Sequence, residues 1–340
     1  MKILYAIQGT GNGHLSRSMD IVPLLQEKGK VDVLVSGIQG DLTLPFPVKY
    51  KFHGMGFVFG KKGGVDLWRS FYKSDLRKFL KEVKQLPVEE YDLVITDFEP
   101  VSAWACHSKN VPCIGLSHQA AVLAEQAPDA DSSDIIGKLI LKQYAPVTAQ
   151  YGFHFKAFNT NVFTPVIRQQ VRDQQVINKG HYTVYLPAFD DERLIKKLSK
   201  FKDVQWEVFS KHNKKVIRNK NITVQPINNE AFIRSMAECE GVLCGAGFET
   251  PAEALYLKKK LLVIPMKSQY EQHLNAAALK DMGVPVIKSL KSKHEKTIKE
   301  WIANGTVIKV NYPDKTREII DLIIKKHAPK IFTKQPTTVY

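Results

Sequence analysis

The chain has 340 residues, 44% hydrophobic and 24% charged, a balance that fits a folded globular protein and excludes a disordered or low-complexity one. That length is more than one core commonly serves, so two domains are expected. The net charge of +15 calls for an anionic partner, and the four cysteines (106, 113, 239 and 244) lack Cys-x-x-Cys spacing, which disfavours a metal site.

Free thiols fit a reducing cytoplasm. Residues 1–7 are apolar for too short a run to be a signal peptide, and no run approaches the roughly 20 apolar residues of a membrane span. A cytoplasmic protein is therefore expected. The charge is uneven, about +2 through residue 165 and about +13 beyond it. Nucleic acid could answer such charge, but the lysines are scattered over helices without a recognition motif or aromatic platform, so none is expected as a partner.

Residues 2–8 (KILYAIQ) read as a strand, followed by a glycine turn, a helix over 15–27 and a strand over 31–36. This is a Rossmann-like start. The turn does not follow the Gly-x-Gly-x-x-Gly register and Asp32 falls too early in its strand to hold a ribose, which disfavours a nicotinamide cofactor. Glycines 9, 11 and 13 permit close approach, and His14 projects from the helix start toward the expected cleft. Residues 54–86 combine an aromatic loop (Phe57, Val58, Phe59) with a helix. One face of that helix carries Trp68, Tyr72, Leu76, Phe79, Leu80 and Val83; a stripe beside it carries Arg69, Lys73, Arg77, Lys81 and Lys84. It reads either as a core helix with a solvated side or as an acceptor or membrane-surface site. Strands over 91–96 and 113–117 deliver Asp97 and Glu99, then His118 and Gln119, to the cleft edge of the sheet. His14, Glu99 and His118 are the candidate bases, with Asp97 a candidate to orient His14.

The first domain is expected over residues 1–162 and the second over 163–340, with 159–172 as the linker. A second Rossmann-like unit follows, with strands over 182–186, 204–209 and 222–227. The densest pattern lies in 241–283. A short strand over 242–244 leads into Gly245-Ala246-Gly247-Phe248, and a helix opens at Glu249. Free N–H groups and the positive dipole end at that helix start suit a diphosphate. Thr250 adds a hydroxyl, and Glu253, one turn on, can bond vicinal hydroxyls. A strand ending at Pro265 precedes Glu271-Gln272 and a helix over 272–282 that carries Asn275. Helices over 297–303 and 316–326 complete the chain.

The 241–283 segment resembles the donor-binding motif of GT-B glycosyltransferases. It is similar to that of the UDP-glucosyl- and glucuronosyltransferases and of the lipid-linked N-acetylglucosaminyltransferase of peptidoglycan synthesis. Thr250-Pro251-Ala252-Glu253 matches their Thr-x-x-Glu element, and Glu271-Gln272-His273-Leu274-Asn275 their sugar-reading run. The turn from Gly9 to Arg17 resembles the N-terminal Gly-x-Gly-x-Gly-His-x-x-Arg loop. Ser117-His118-Gln119-Ala120 matches the peptidoglycan enzyme's His-Glu-Gln-Asn only at the Gln.

The resemblance implies an α/β GT-B fold, two Rossmann-like domains with a cleft between them, the last helix crossing back to the first. It implies inverting transfer from a nucleotide-sugar donor, a UDP-sugar, to a hydroxyl acceptor that is lipid-linked or of the cell envelope. His14 is then the base, oriented by Asp97. The donor would be held by Thr10, Gly11, Asn12, Gly13, Arg168, Ser210, Ile227, Gly245, Ala246, Gly247, Phe248, Glu249, Thr250, Glu253, Glu271, Gln272 and Asn275. The acceptor, or an anionic surface on the inner face of the membrane, would meet Phe57, Phe59, Trp68, Arg69, Lys73, Arg77 and His118. No metal and no cofactor beyond the donor are expected, and Arg168 or Lys211 would help neutralise the diphosphate. A nucleotide-sugar 2-epimerase or hydrolase of the same fold is an alternative, as is a non-catalytic nucleotide-sugar or nucleic-acid binding protein.

Overall fold

The computed structural model describes residues 1–37, 43–55, 76–122, 143–267 and 269–329. Among them are two sheets. The first contains β1 (Lys2–Gln8), β2 (Lys30–Ser36), β3 (Tyr50–Phe52), β4 (Leu93–Asp97), β5 (Cys113–Ser117), β6 (Ala149–Phe153) and β7 (Val162–Phe163). Its order is β3-β2-β1-β4-β5-β6-β7, with every pairing parallel. The second contains β8 (His181–Tyr185), β9 (Gln205–Ser210), β10 (Ile217–Asn219), β11 (Ile222–Pro226), β12 (Gly241–Gly245) and β13 (Lys260–Ile264). Its order is β10-β11-β9-β8-β12-β13, parallel except where β10 pairs with β11.

The helices are α1 (Asn12–Gln26), α2 (Leu76–Gln85), α3 (Pro100–Lys109), α4 (His118–Val122), α5 (Gln169–Arg172), α6 (Asp191–Leu198), α7 (Asn229–Glu238), α8 (Glu249–Tyr256), α9 (Tyr270–Asp281), α10 (Glu295–Asn304) and α11 (Thr316–His327). Among the described residues no helix is long and apolar enough to cross a membrane.

Central strands of a parallel sheet are covered on both faces, so they need unbroken apolar sequence. In β1, Ile3, Tyr5 and Ile7 feed one core while Leu4 and Ala6 feed another, as a two-residue period demands. In β12, Val242 and Cys244 join that first core, and Leu243 joins a third beneath β8 and β9. The first core is continuous between the domains and takes in Ile319, Ile320 and Ile323 of α11. That helix lies on α1, flanked by exposed pairs Arg317–Glu27 and Lys28–Asp321. Such exposed, solvent-screened pairs contribute little, so the buried isoleucines carry the contact.

Both sheets change direction beside their first strand. β1 lies between β2 and β4, and β8 between β9 and β12, which opens a crevice at the carboxyl end of each sheet. In the first, Ile7 pairs with Asp97, so the glycine turn and the Asp97 side chain emerge next to each other.

Two expectations change here. The 159–172 span is not a bare linker, because Val162–Phe163 pairs with β6 and Gln169–Arg172 forms a helical turn. In α2, Phe79 and Val83 are buried, but Leu76 and Leu80 are 49% and 56% exposed. The buried side of α2 also holds Glu82, whose carboxylate accepts the N–H groups of His53 and Gly54. Residues 76 and 80 sit around the helix from that anchor, and Arg77 is exposed with them. Phe57, Phe59, Trp68, Arg69 and Lys73 lie outside the described residues.

Candidate functional site

The first wall of the cleft is the turn between β1 and α1. Gly11 precedes α1 at φ +99°, a backbone region that favours glycine, and this sets the sharp entry into the helix. His14 then stands at the helix start, with Nδ1 2.8 Å from Asp97 Oδ1. Asp97 is fully buried. It also accepts Arg17 through Nη2 at 2.7 and 2.8 Å and through Nε at 3.2 Å. Burial pushes the Asp97 carboxyl upward, but Arg17 and then His14 outweigh it and hold it below its ordinary value. Burial pushes His14 downward, but the Asp97 carboxylate outweighs that and holds the imidazole above its ordinary value. Asp97 accepts the Nδ1 proton, which leaves Nε2 as the lone-pair nitrogen. Gln119 Nε2 lies 3.5 Å from that nitrogen and donates to Glu271 Oε2 at 3.1 Å.

The opposite wall is the turn from β12 into α8. No side chain caps α8, so the N–H groups of Glu249 and Thr250 remain for an anion; Pro251 has none, and Ala252 N–H is bonded to Phe248 O. Between the walls is a cavity of about 400 Å³. The first domain lines it with Thr10, Gly11, Asn12, Gly13 and His14. The other side contributes Arg168, Lys211, Ile227, Gly247, Phe248, Glu249, Thr250, Glu253, Glu271 and Gln272. A smaller chamber of about 90 Å³ shares Gly247, Thr250 and Gln272 and reaches Gly245 and Phe189. Gln272 is pinned there by accepting Met266 N–H at 2.9 Å. Burial raises the Glu271 carboxyl against the opposing pull of His14 and Gln119.

Several expected side chains are placed otherwise. Glu253 is 2% exposed and has both oxygens on Arg168, at 2.6 and 2.8 Å, so a hydroxyl it meets in the cavity shares the carboxylate with that arginine. Arg168 also donates to Asn229 Oδ1 at 2.7 Å. Asn275 is fully buried and does not line the cavity; it donates to Ala246 O and meets His118 Nε2 at 2.6 Å. His118 is 1% exposed, with Nδ1 2.7 Å from Phe153 O and its ring stacked on Phe248 at 3.8 Å. Burial, aided by His154, pushes it down to about 3, which disfavours it as the base, and it does not line the cavity. Glu99 caps α3 by accepting the N–H groups of Val101 and Ser102 and is fully buried. Ser210 is buried and its hydroxyl accepts His212 N–H, while the next residue, Lys211, faces the cleft.

Arg17 is the residue whose part the sequence left unassigned. Its signal was a lone cation three residues after His14, hence on the same face of the helix start. It also reaches the other domain, donating from Nη1 to Glu249 Oε1 at 2.6 Å.

No curated protein matches the chain. Among solved structures it resembles the glycosyltransferase SsfS6 of Streptomyces sp. SF2575 complexed with thymidine diphosphate. The TM-score is 0.56 and the identity 15%, over 96% of this chain and 99% of that one. It also resembles MurG of Acinetobacter baumannii, with a TM-score of 0.55 and 15% identity over 95% and 99% of the two chains. The glycotransferase of kitacinnamycin gives 0.55 and 12% over 96% and 95%. These likenesses establish the GT-B fold, two Rossmann-like domains around a cleft. The family of glycosyl transferase family 1 matches residues 1–304, and with that match the chain belongs to it and is a sugar-transferring enzyme.

Proposed function

We propose that the enzyme moves a sugar from a nucleoside diphosphate donor, a uridine one, to an acceptor hydroxyl with inversion at the anomeric carbon. The observation that carries this reading is the His14–Asp97 pair in one wall of a cleft whose other wall is the uncapped start of α8. His14 Nε2 takes the acceptor proton while the acceptor oxygen bonds to the anomeric carbon. The bond from that carbon to the diphosphate breaks, and its electron pair leaves with the diphosphate. The α8 N–H groups, the Thr250 hydroxyl and Lys211 meet the new charge. Base and leaving group on opposite walls give inversion. The thymidine diphosphate in the SsfS6 structure supports the nucleoside diphosphate class.

The chemistry calls for no metal, because protein donors serve the leaving group. Turnover is therefore expected to survive excess EDTA. Activity lost on chelation and restored by Mg²⁺ would overturn this part. Leu76 and Leu80, exposed beside Arg77 and Lys81, support an acceptor presented on an anionic lipid surface, with the enzyme peripheral on the cytoplasmic face. The donor class is tested by the melting temperature in the presence of UDP, dTDP and GDP. A ligand at about 100 times its Kd adds roughly 2.7 kcal/mol. UDP is expected to raise the melting temperature most, and no response to any of the three would contradict the reading.

A further inference from the structure

The Glu249 side chain takes no part in the proton transfer or in the leaving-group contacts, yet its residue opens α8. A carboxylate there stands in the turn where an incoming diphosphate needs positive potential. It does not cap its own helix but crosses the cleft. Oε1 takes Arg17 Nη1, and Oε2 lies over Gly13, where even a Cβ would collide with it. Arg17 is 2% exposed, its remaining hydrogen bonds going to Asp97, with its guanidinium over the Phe153 ring at 5.3 Å. One guanidinium thus joins the acid of the donor turn to the acid that orients the base. The charged and titratable groups facing His14 are Asp97 and Arg17 from the first domain and Glu249 and Glu271 from the second.

We propose that Glu249 is a positioning residue. Its charge sets how tightly the cleft holds a diphosphate and, through the shared Arg17, how readily His14 carries a proton. The first effect is repulsion between two anions at one helix start, which loosens the nucleoside diphosphate product once the sugar has gone. The second is attraction of Glu249 for the imidazolium. Both rest on reading the cleft as a nucleoside diphosphate site.

The test is Glu249→Gln, which keeps an oxygen for Arg17 and removes the charge. Calorimetry with UDP is expected to show binding tightened by about three- to tenfold at low salt, less so at high salt, as screening requires. The acid limb of the kcat/KM profile is expected to move to lower pH. UDP binding that is equal or weaker, or a limb that stays in place, would overturn the proposal. A wild type that binds neither UDP nor any other nucleoside diphosphate would instead overturn the donor reading. A His14→Ala enzyme that keeps the wild-type limb would overturn the base assignment while leaving the anion competition standing, since UDP binding is measured without turnover.

Discussion

Burial and charge pull His14 in opposite directions, and Asp97 decides the outcome. The ring is held above its ordinary value of about 6.5, so the base is increasingly blocked as pH falls through that raised value. The kcat/KM profile should therefore rise along an acid limb above about pH 6.5, and Asp97→Asn should move that limb down while lowering the rate. A limb below the ordinary histidine range in the wild type would contradict this. Arg168 and Glu253 are a second buried pair, 7% and 2% exposed. Removing one partner of such a pair typically costs about 3–5 kcal/mol, because the other charge is stranded. Glu253→Ala should thus lower the melting temperature sharply, with Arg168→Met/Glu253→Leu restoring much of it; unchanged melting in Glu253→Ala would refute the pairing. Residue types and spacing brought out His14, Asp97, Thr250 and Glu271. They could not show that Glu253 would face Arg168 or that Asn275 would turn to His118, because both contacts are with elements remote in the chain.

α2 shows how far an element can be read and where the reading stops. Its amphipathic period is real, but the sequence groups residues 76 and 80 with Phe79 and Val83 on one face, whereas Glu82 shares the buried side with those two through two backbone N–H groups that sequence does not reveal. If the exposed leucines and cations meet a lipid surface, the protein should sediment with anionic vesicles and less so at high salt, each nearby cation adding about 1 kcal/mol. Leu76→Ser/Leu80→Ser should weaken that binding without changing UDP affinity. Equal sedimentation with neutral vesicles would point to a soluble acceptor. Long apolar strands were legible to within a residue or two: Lys2–Gln8 and Cys113–Ser117 end where their sequence pattern ends. The edge strands β3, β7 and β10 were not, since two or three residues carry no period and are held by their neighbours.

Across the whole molecule the two domains meet through buried side chains. His118 of the first lies on Phe248 and Asn275 of the second, and Arg17 reaches Glu249. His118 is lowered to about 3, against about 6.5 unfolded, so the unfolded chain binds the proton more readily between those values. Its contribution is fully present above about pH 6.5 and is lost as pH falls toward 3. Each pH unit within that window is worth up to about 1.4 kcal/mol. Melting between pH 7.5 and 5 should therefore fall more steeply for the wild type than for His118→Gln, whose amide does not titrate; equal slopes would refute a buried neutral imidazole. Two domains were legible from length and from the repeated strand–turn–helix order, but their mutual contacts were not, because local sequence period carries no information about a partner in another domain. The account depends most on His14 facing the α8 turn across one cleft. Turnover of His14→Ala, measured alongside its UDP affinity, tests this most directly. Loss of a general base should cut kcat by about 10²–10⁴ with UDP affinity little changed. Near-normal turnover in that variant would contradict the account.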